Sequence, residues 1–128
     1  MQALVVDDSV AVRGLLSEHL SQLGFQVEQA ASGFEALAKV QAMPHLTVVL
    51  LDWTMPGMDG LEVLRRIRAE GRYANVPVVM VTTQGELPFV DDAFNAGASE
   101  YLMKPFDAQT LLEKLLLLGV DPEIRRAA

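Results

Sequence analysis

No cysteine occurs in the 128-residue chain. That absence removes disulfides, thiol nucleophiles and cysteine-based zinc sites together. Aromatic residues make up only 6% against a hydrophobic fraction of 51%, so the core must be mainly aliphatic side chains and alanine. Positive charge is also short: 10 Lys and Arg against 17 Asp and Glu give a formal net charge of −7. Nucleic-acid backbones need basic surfaces, so direct nucleic-acid binding is disfavoured. The one tight basic cluster, Arg65, Arg66 and Arg68, reads as a solvated helix face. No uninterrupted apolar run approaches the roughly 18 residues of a membrane span. Ala3 to Val6 is too short for a signal peptide and runs straight into Asp7 and Asp8. A cytoplasmic protein without membrane insertion is expected. Gly-rich phosphate loops and dinucleotide fingerprints are missing as well.

What is present is an alternation. Ala3–Val6, Val48–Leu51 and Val78–Val81 are continuous apolar runs, the pattern of strands buried on both faces of a parallel sheet. Phe25–Glu28 and Glu100–Met103 are weaker and read as flanking strands. Between them lie segments with helical periodicity. Val12, Leu15, Leu16, His19, Leu20 and Leu23 mark the first helix, stopped at Gly24. Phe34, Leu37, Ala38 and Val40 mark the second; Leu61, Val63, Leu64 and Ile67 the third, with Gly71 near its end. Val90, Ala93 and Phe94 mark the fourth before Gly97, and Leu111, Leu112, Leu115, Leu116 and Leu118 the fifth before Gly119. Five strand–helix units with right-handed crossovers predict a single α/β domain, a doubly wound (βα)5 open sheet. Its packed part should span about residues 3 to 118, with 119–128 as a C-terminal tail.

Ligands of an open parallel sheet bind beyond the carboxyl ends of its strands. There the sequence places Asp7 and Asp8 after the first strand, Asp52 after the third, Thr82 and Thr83 after the fourth, and Lys104-Pro105 after the fifth. Three carboxylates packed together repel, and one tends to keep its proton unless a cation joins them. Hard oxygen ligands without His or Cys select Mg²⁺, with Mn²⁺ as a substitute, over zinc. A lysine beside such a site is reasonable when an anion arrives, and a phosphoryl group held by metal, ammonium and hydroxyl is the obvious candidate. Singly, each signal has a plain reading: Asp7-Asp8 or Ser9 as a helix cap, Asp52 as a strand end, Lys104-Pro105 as a turn. Their joint placement at strand ends carries the argument.

Those residues, with their neighbours, resemble the receiver domain of two-component response regulators. The resemblance rests on Asp7-Asp8-Ser9 with Arg13, on Leu50-Leu51-Asp52-Trp53-Thr54-Met55-Pro56-Gly57-Met58-Asp59-Gly60, on Val81-Thr82, and on the run from Ala96 to Phe106 that contains Tyr101, Lys104 and Pro105. It implies a flavodoxin-like sheet of five parallel strands in the order 2-1-3-4-5. It implies that Asp52 accepts a phosphoryl group from a histidine kinase or phosphotransfer protein. Asp8, Asp52 and the Thr54 backbone carbonyl would bind Mg²⁺, with Asp7 acting through water. Lys104 would pair with a phosphoryl oxygen, Thr82 would close on it by its hydroxyl, Tyr101 would rotate inward in step, and Pro105 would follow a cis peptide that aims the lysine. The output would pass to an effector protein through the face of the fourth helix, fifth strand and fifth helix. Such a protein is a switch that catalyses only its own phosphorylation and dephosphorylation.

Local features add detail. Met55 to Gly60 reads mostly as a loop that shapes the site, with Asp59 capping the third helix. Thr54 and Gln84 occupy the two positions that tune phosphoryl lifetime in this family. Leu87 and Phe89 offer apolar surface to a docking partner, or pack into the core. Leu115 to Leu118 cannot all face one side of a helix, so Leu117 is exposed or meets a second subunit in a weak, phosphorylation-promoted homodimer. His19 and His45 show no partner pattern, and the methionines suit packing. With no output domain after the fifth helix, a stand-alone regulator of the chemotaxis or motility type is expected. The alternatives are a phosphate sink or shuttle, a pseudo-receiver scaffold that is not phosphorylated, and an aspartyl-phosphate phosphatase. Haloacid-dehalogenase phosphatases need a second Asp two residues after the nucleophile, where Thr54 stands.

Overall fold

A computed structural model describes residues 1–122. The strands are β1 (Gln2–Val6), β2 (Gln26–Ala30), β3 (Leu46–Asp52), β4 (Val78–Thr82) and β5 (Glu100–Met103). The helices are α1 (Val10–Gln22), α2 (Gly33–Ala42), α3 (Gly60–Ala69), α4 (Val90–Asn95) and α5 (Ala108–Leu117). All strand pairs are parallel, in the order β2-β1-β3-β4-β5. The doubly wound sheet and its strand order are thus as the sequence implied.

The sheet separates two apolar layers. Leu16 and Leu20 of α1 pack with Leu111 and Leu115 of α5 against Val5, Val48, Leu50, Val79 and Val81 on one face. Ala36 and Val40 of α2 pack with Val63, Leu64 and Ile67 of α3 against Leu4, Val49, Leu51 and Met80 on the other. The central strands are buried on both sides, which is why their sequences run apolar without alternation. Short polar side chains start the helices. Ser9, Ser32, Asp59 and Asp107 each accept a bond from a backbone N–H of the first turn, satisfying donors the helix cannot. Gly24, Gly97 and Gly119 stop α1, α4 and α5 with positive φ.

Four expectations change. Phe34 and Ala38 do not belong to the buried face of α2; Gly33, Ala36 and Val40 do, and Phe34 is 66% exposed. Helix α2 approaches α3 so closely at Gly33 that a Cβ there would meet Val63 and Met58, so its contact face is made of small residues. Leu15, placed on the apolar face of α1, is exposed. Arg68 leaves the solvated face that holds Arg65 and Arg66 and turns inward. There it donates to the carbonyls of Gly97 and Tyr73 and to Ser99 Oγ. Val120 is buried with the α1–α5 layer, so packing continues past the expected edge of the tail. Residues 123–128 of that tail lie outside the described residues.

Leu117 is 73% exposed while Leu115 is fully buried, so the run of four leucines turns Leu117 outward in the single chain. Among the described residues no helix is long and apolar enough to cross a membrane.

Candidate functional site

The carboxyl ends of β1 and β3 lie side by side in the sheet, with Val6 opposite Leu51. One residue further along, Asp7 and Asp52 therefore face the same edge, and both are buried, 1% and 5% exposed. Exposed Asp8 completes a group in which one carboxylate oxygen from each residue lies within 4.8 Å of the others. Local bonds hold the group. Asp7 Oδ1 accepts from the Ser9 N–H at 2.8 Å, and Arg13 Nη1 donates to the Asp7 carbonyl at 2.7 Å. The Trp53 N–H donates to Val81 O at 3.3 Å, and the Gly60 N–H to Trp53 O at 2.8 Å, which fixes the chain just after Asp52. Gly60 is required there, because a Cβ would collide with the Asp52 carbonyl.

Lys104 reaches in from the end of β5. Its Nζ lies 3.2 Å from Asp52 Oδ1 and 3.3 Å from Asp7 Oδ2. The Lys104–Pro105 peptide is cis. Thr82, at the end of β4, is fully buried, and its hydroxyl has no hydrogen-bond partner. A buried unpartnered hydroxyl is costly and marks a place where a partner belongs.

One ammonium does not balance three carboxylates. Burial, then the charge of Asp7, push the Asp52 carboxyl up from 3.8 to about 6, and Lys104 offsets this only in part. For Lys104 itself, burial pulls the value down, but Asp52 and Asp7 outweigh it and hold the ammonium above its usual value. The Asp52 shift comes first from burial and then from the charge of Asp7, whereas the Lys104 shift comes from the surrounding carboxylates. A hard divalent cation fits the excess of negative charge and a donor set made only of oxygen.

The structure brings Asp7, Asp8, Asp52 and Lys104 together and places Thr82 at the adjoining strand end. Thr54 follows Asp52 and is exposed; its hydroxyl donates to Glu86 Oε2. Tyr101 lies away from the cluster on β5, half-buried, with Lys114 Nζ 4.2 Å from its ring centroid. Lys114 also pairs with Glu100 at 3.1 Å. Leu87 is half-buried and Phe89 is 54% exposed. They occupy a 3-10 segment, Gln84–Phe89, that precedes a short α4, not the start of a long fourth helix. Sequence reasoning missed Glu86. Thr83-x-x-Glu86 has the form of a capping box, a visible signal for its bond to Thr83. Nothing local announces its bond to Thr54, 32 residues away. A cavity of about 510 Å³ lies at the opposite edge of the sheet, lined by Met43, Pro44, Leu46, Arg72, Tyr73 and Val76 among others, remote from the acidic cluster.

Known proteins share this arrangement along nearly the whole chain. The profile of the response regulator receiver domain matches residues 3–116. The chemotaxis protein CheY1 of Helicobacter pylori is 41% identical over 123 residues, covering 94% of this chain and 99% of that one. The chemotaxis protein CheY homolog of Campylobacter jejuni is 41% identical over 116 residues, covering 90% and 89%. Among solved structures, the chemotaxis response regulator CheY4 of Vibrio cholerae superposes with a TM-score of 0.85 at 37% identity, covering 91% of this chain and 97% of that one. A (βα)5 sheet with an acid cluster and a lysine at its carboxyl edge, matched over this length, has one family assignment: the chain belongs to the response regulator receiver domains, in their CheY-like form.

Proposed function

We propose that this receiver accepts a phosphoryl group on Asp52 from the phosphohistidine of a kinase or phosphotransfer protein, and signals to an effector through α4, β5 and α5. The observation that carries the reading is the under-neutralised carboxylate cluster, with Lys104 on Asp52 and the unpartnered Thr82 hydroxyl at the next strand end.

The roles follow from charge. Asp52 must attack as a carboxylate, and the nearby ammonium of Lys104 favours that form. An Asp52 oxygen forms the new P–O bond as the donor's P–N bond breaks, and the imidazole leaves with the electron pair. Lys104 then pairs with a phosphoryl oxygen, and the Thr82 hydroxyl finds in another oxygen the acceptor it lacks. Asp7, Asp8, Asp52 and the Thr54 carbonyl would hold Mg²⁺, or Mn²⁺ in its place. When bound, the cation supplies neutralisation of the charge on the acids and on the transferring group. Water later cleaves the acyl phosphate, so the mark is temporary. As Thr82 closes, Tyr101 turns inward and the α4–β5–α5 face changes, with Leu87 and Phe89 as contacts for the effector. The names of the relatives point to chemotaxis or related motility as the pathway.

Trp53, the only tryptophan, adjoins Asp52 and reports on the site. Titration with Mg²⁺ and then beryllofluoride, a phosphoryl mimic, should give two saturable fluorescence responses, the second dependent on Mg²⁺ and lost in Asp52→Ala. A folded protein that binds Mg²⁺ without a beryllofluoride response would refute the acceptor role and leave a scaffold.

A further inference from the structure

Thr54 and Glu86 belong to different loops, one after β3 and the other after β4, and a hydrogen bond joins them across the mouth of the site. The Thr54 hydroxyl donates to Glu86 Oε2. The other carboxylate oxygen, Oε1, accepts from the Thr83 N–H at 2.7 Å and from the Thr83 hydroxyl at 3.2 Å. One carboxylate therefore grips the neighbour of Thr82 with one oxygen and a residue of the acceptor loop with the other.

Backbone bonds hold the chain at both ends of this strap. Thr54 follows Trp53, whose N–H and C=O are both bonded, to Val81 and Gly60. Thr83 opens the 3-10 segment Gln84–Phe89, which contributes no buried residue. The peptide between Thr82 and Thr83 is held as well, its carbonyl by the Lys104 N–H at 2.7 Å and its N–H by Glu86 at 2.7 Å, so it shifts only as those bonds yield. The Thr82 hydroxyl has no partner where it stands, and a phosphoryl group on Asp52 would draw it inward. Where the Thr82 backbone moves with its hydroxyl, the peptide to Thr83 moves too, and the Thr54–Glu86 bond is stretched or broken.

We infer that Glu86 is a positioning residue that ties the switch loop to the acceptor loop and opposes the movement of Thr82 toward Asp52. The inference rests on the receiver reading and deepens it by assigning a restraint to a residue outside the acid cluster. A restraint present in one conformation only shifts the equilibrium between the two by its own free energy. Loss of one net hydrogen bond corresponds to a shift of roughly three- to tenfold.

The test compares the parent with Glu86→Ala, Glu86→Gln, Thr54→Val and the Glu86→Ala/Thr54→Val double variant. Two quantities are read: the Mg²⁺-dependent beryllofluoride affinity from Trp53 fluorescence, and amide hydrogen exchange at residues 83–86 without ligand. Glu86→Ala and Thr54→Val should each tighten beryllofluoride binding roughly three- to tenfold and speed exchange, with the double variant no further along than the stronger single one. Glu86→Gln should stay near the parent, because its amide can still accept from Thr83 and engage the Thr54 hydroxyl without a charge. If Glu86→Gln tightens binding as much as Glu86→Ala, the effect is charge repulsion of an anionic ligand and the strap is overturned. Unchanged exchange, unchanged affinity or additive singles overturn it too. A parent that fails to respond to beryllofluoride at all refutes the receiver reading itself, and this role with it, and is distinguishable from a parent that responds as well as its variants do.

Discussion

Asp52 should be a destabilising residue at neutral pH, and replacing it with Asn should make the chain more stable. An ordinary aspartate has a value of 3.8, whereas burial and Asp7 hold Asp52 at about 6 in the folded chain. Between those values the folded state binds the proton and the unfolded state does not, so stability falls as pH rises. The contribution is fully present below the unfolded value and is lost once pH has passed the folded one. A gap of about two pH units sets a ceiling of about 3 kcal/mol. Lys104 admits some water to the pair, being 24% exposed, and this screening reduces the ceiling to about 1–3 kcal/mol. Asn keeps the shape and offers Oδ1 to the Lys104 ammonium, so little packing is lost. In urea titrations at pH 7.5 followed by Trp53 fluorescence, Asp52→Asn should gain about 1–3 kcal/mol over the parent, a rise in Tm of roughly 3–10 °C. The gain should fall to about a third near pH 4.5 and vanish below the unfolded value. Millimolar Mg²⁺ should stabilise the parent at pH 7.5 by mass action, EDTA should reverse this, and the Asn variant should respond much less. An Asn variant less stable than the parent at pH 7.5, or a gain that does not vary with pH, would refute the electrostatic account of the site.

Two further outcomes follow from packing. Gly60→Ala should cost about 3 kcal/mol or more and weaken Mg²⁺ binding, because its Cβ has to displace the Asp52 carbonyl; urea unfolding and the Trp53 titration read both. Phe89→Ala should change stability by less than about 0.5 kcal/mol, since the ring is 54% exposed, while weakening effector binding measured by calorimetry. A stability loss without a change in binding would return Phe89 to the core.

The strands were legible because a central parallel strand leaves no polar positions to interrupt its apolar run, and because the residue that ends such a run faces the binding edge. That single geometric rule located Asp7, Asp52, Thr82 and Lys104 together. Helix faces were read less well. At α2 the periodicity selected bulky Phe34, whereas close approach to α3 at Gly33 favours small residues there and leaves the ring outside. Arg68 looked solvated because a charge on a helix usually is. What brings it inward is a set of carbonyls, Gly97 and Tyr73, whose convergence is fixed by the turn before β5 and by the loop before β4. The bond from Thr54 to Glu86 was invisible for the same reason: spanning 32 residues, it has no local periodicity to betray it. Contacts that follow from one element's own geometry can be read along the chain; contacts that need the relative placement of two loops cannot.

The same distinction bears on how a phosphoryl group would act here. Two groups at the carboxyl edge of the sheet stand in unfavourable conditions without it. Asp52 is a carboxylate held where its charge is disfavoured, and the Thr82 hydroxyl is buried without a partner. Both stand at strand ends of a packed sheet, and neither is relieved by moving the core. A phosphoryl group on Asp52 would relieve both at once, converting the crowded carboxylate to an acyl phosphate whose oxygens reach Lys104 and Thr82. The free energy gained there must exceed what holds the loops in their present place, and the Glu86 strap is one such restraint, on the scale of about 0.5–1.5 kcal/mol for a net hydrogen bond. A weak restraint against a strong local demand is what a two-state switch requires. A stronger bond would hold Thr82 back from the phosphoryl group, and none would let it wander inward without the signal.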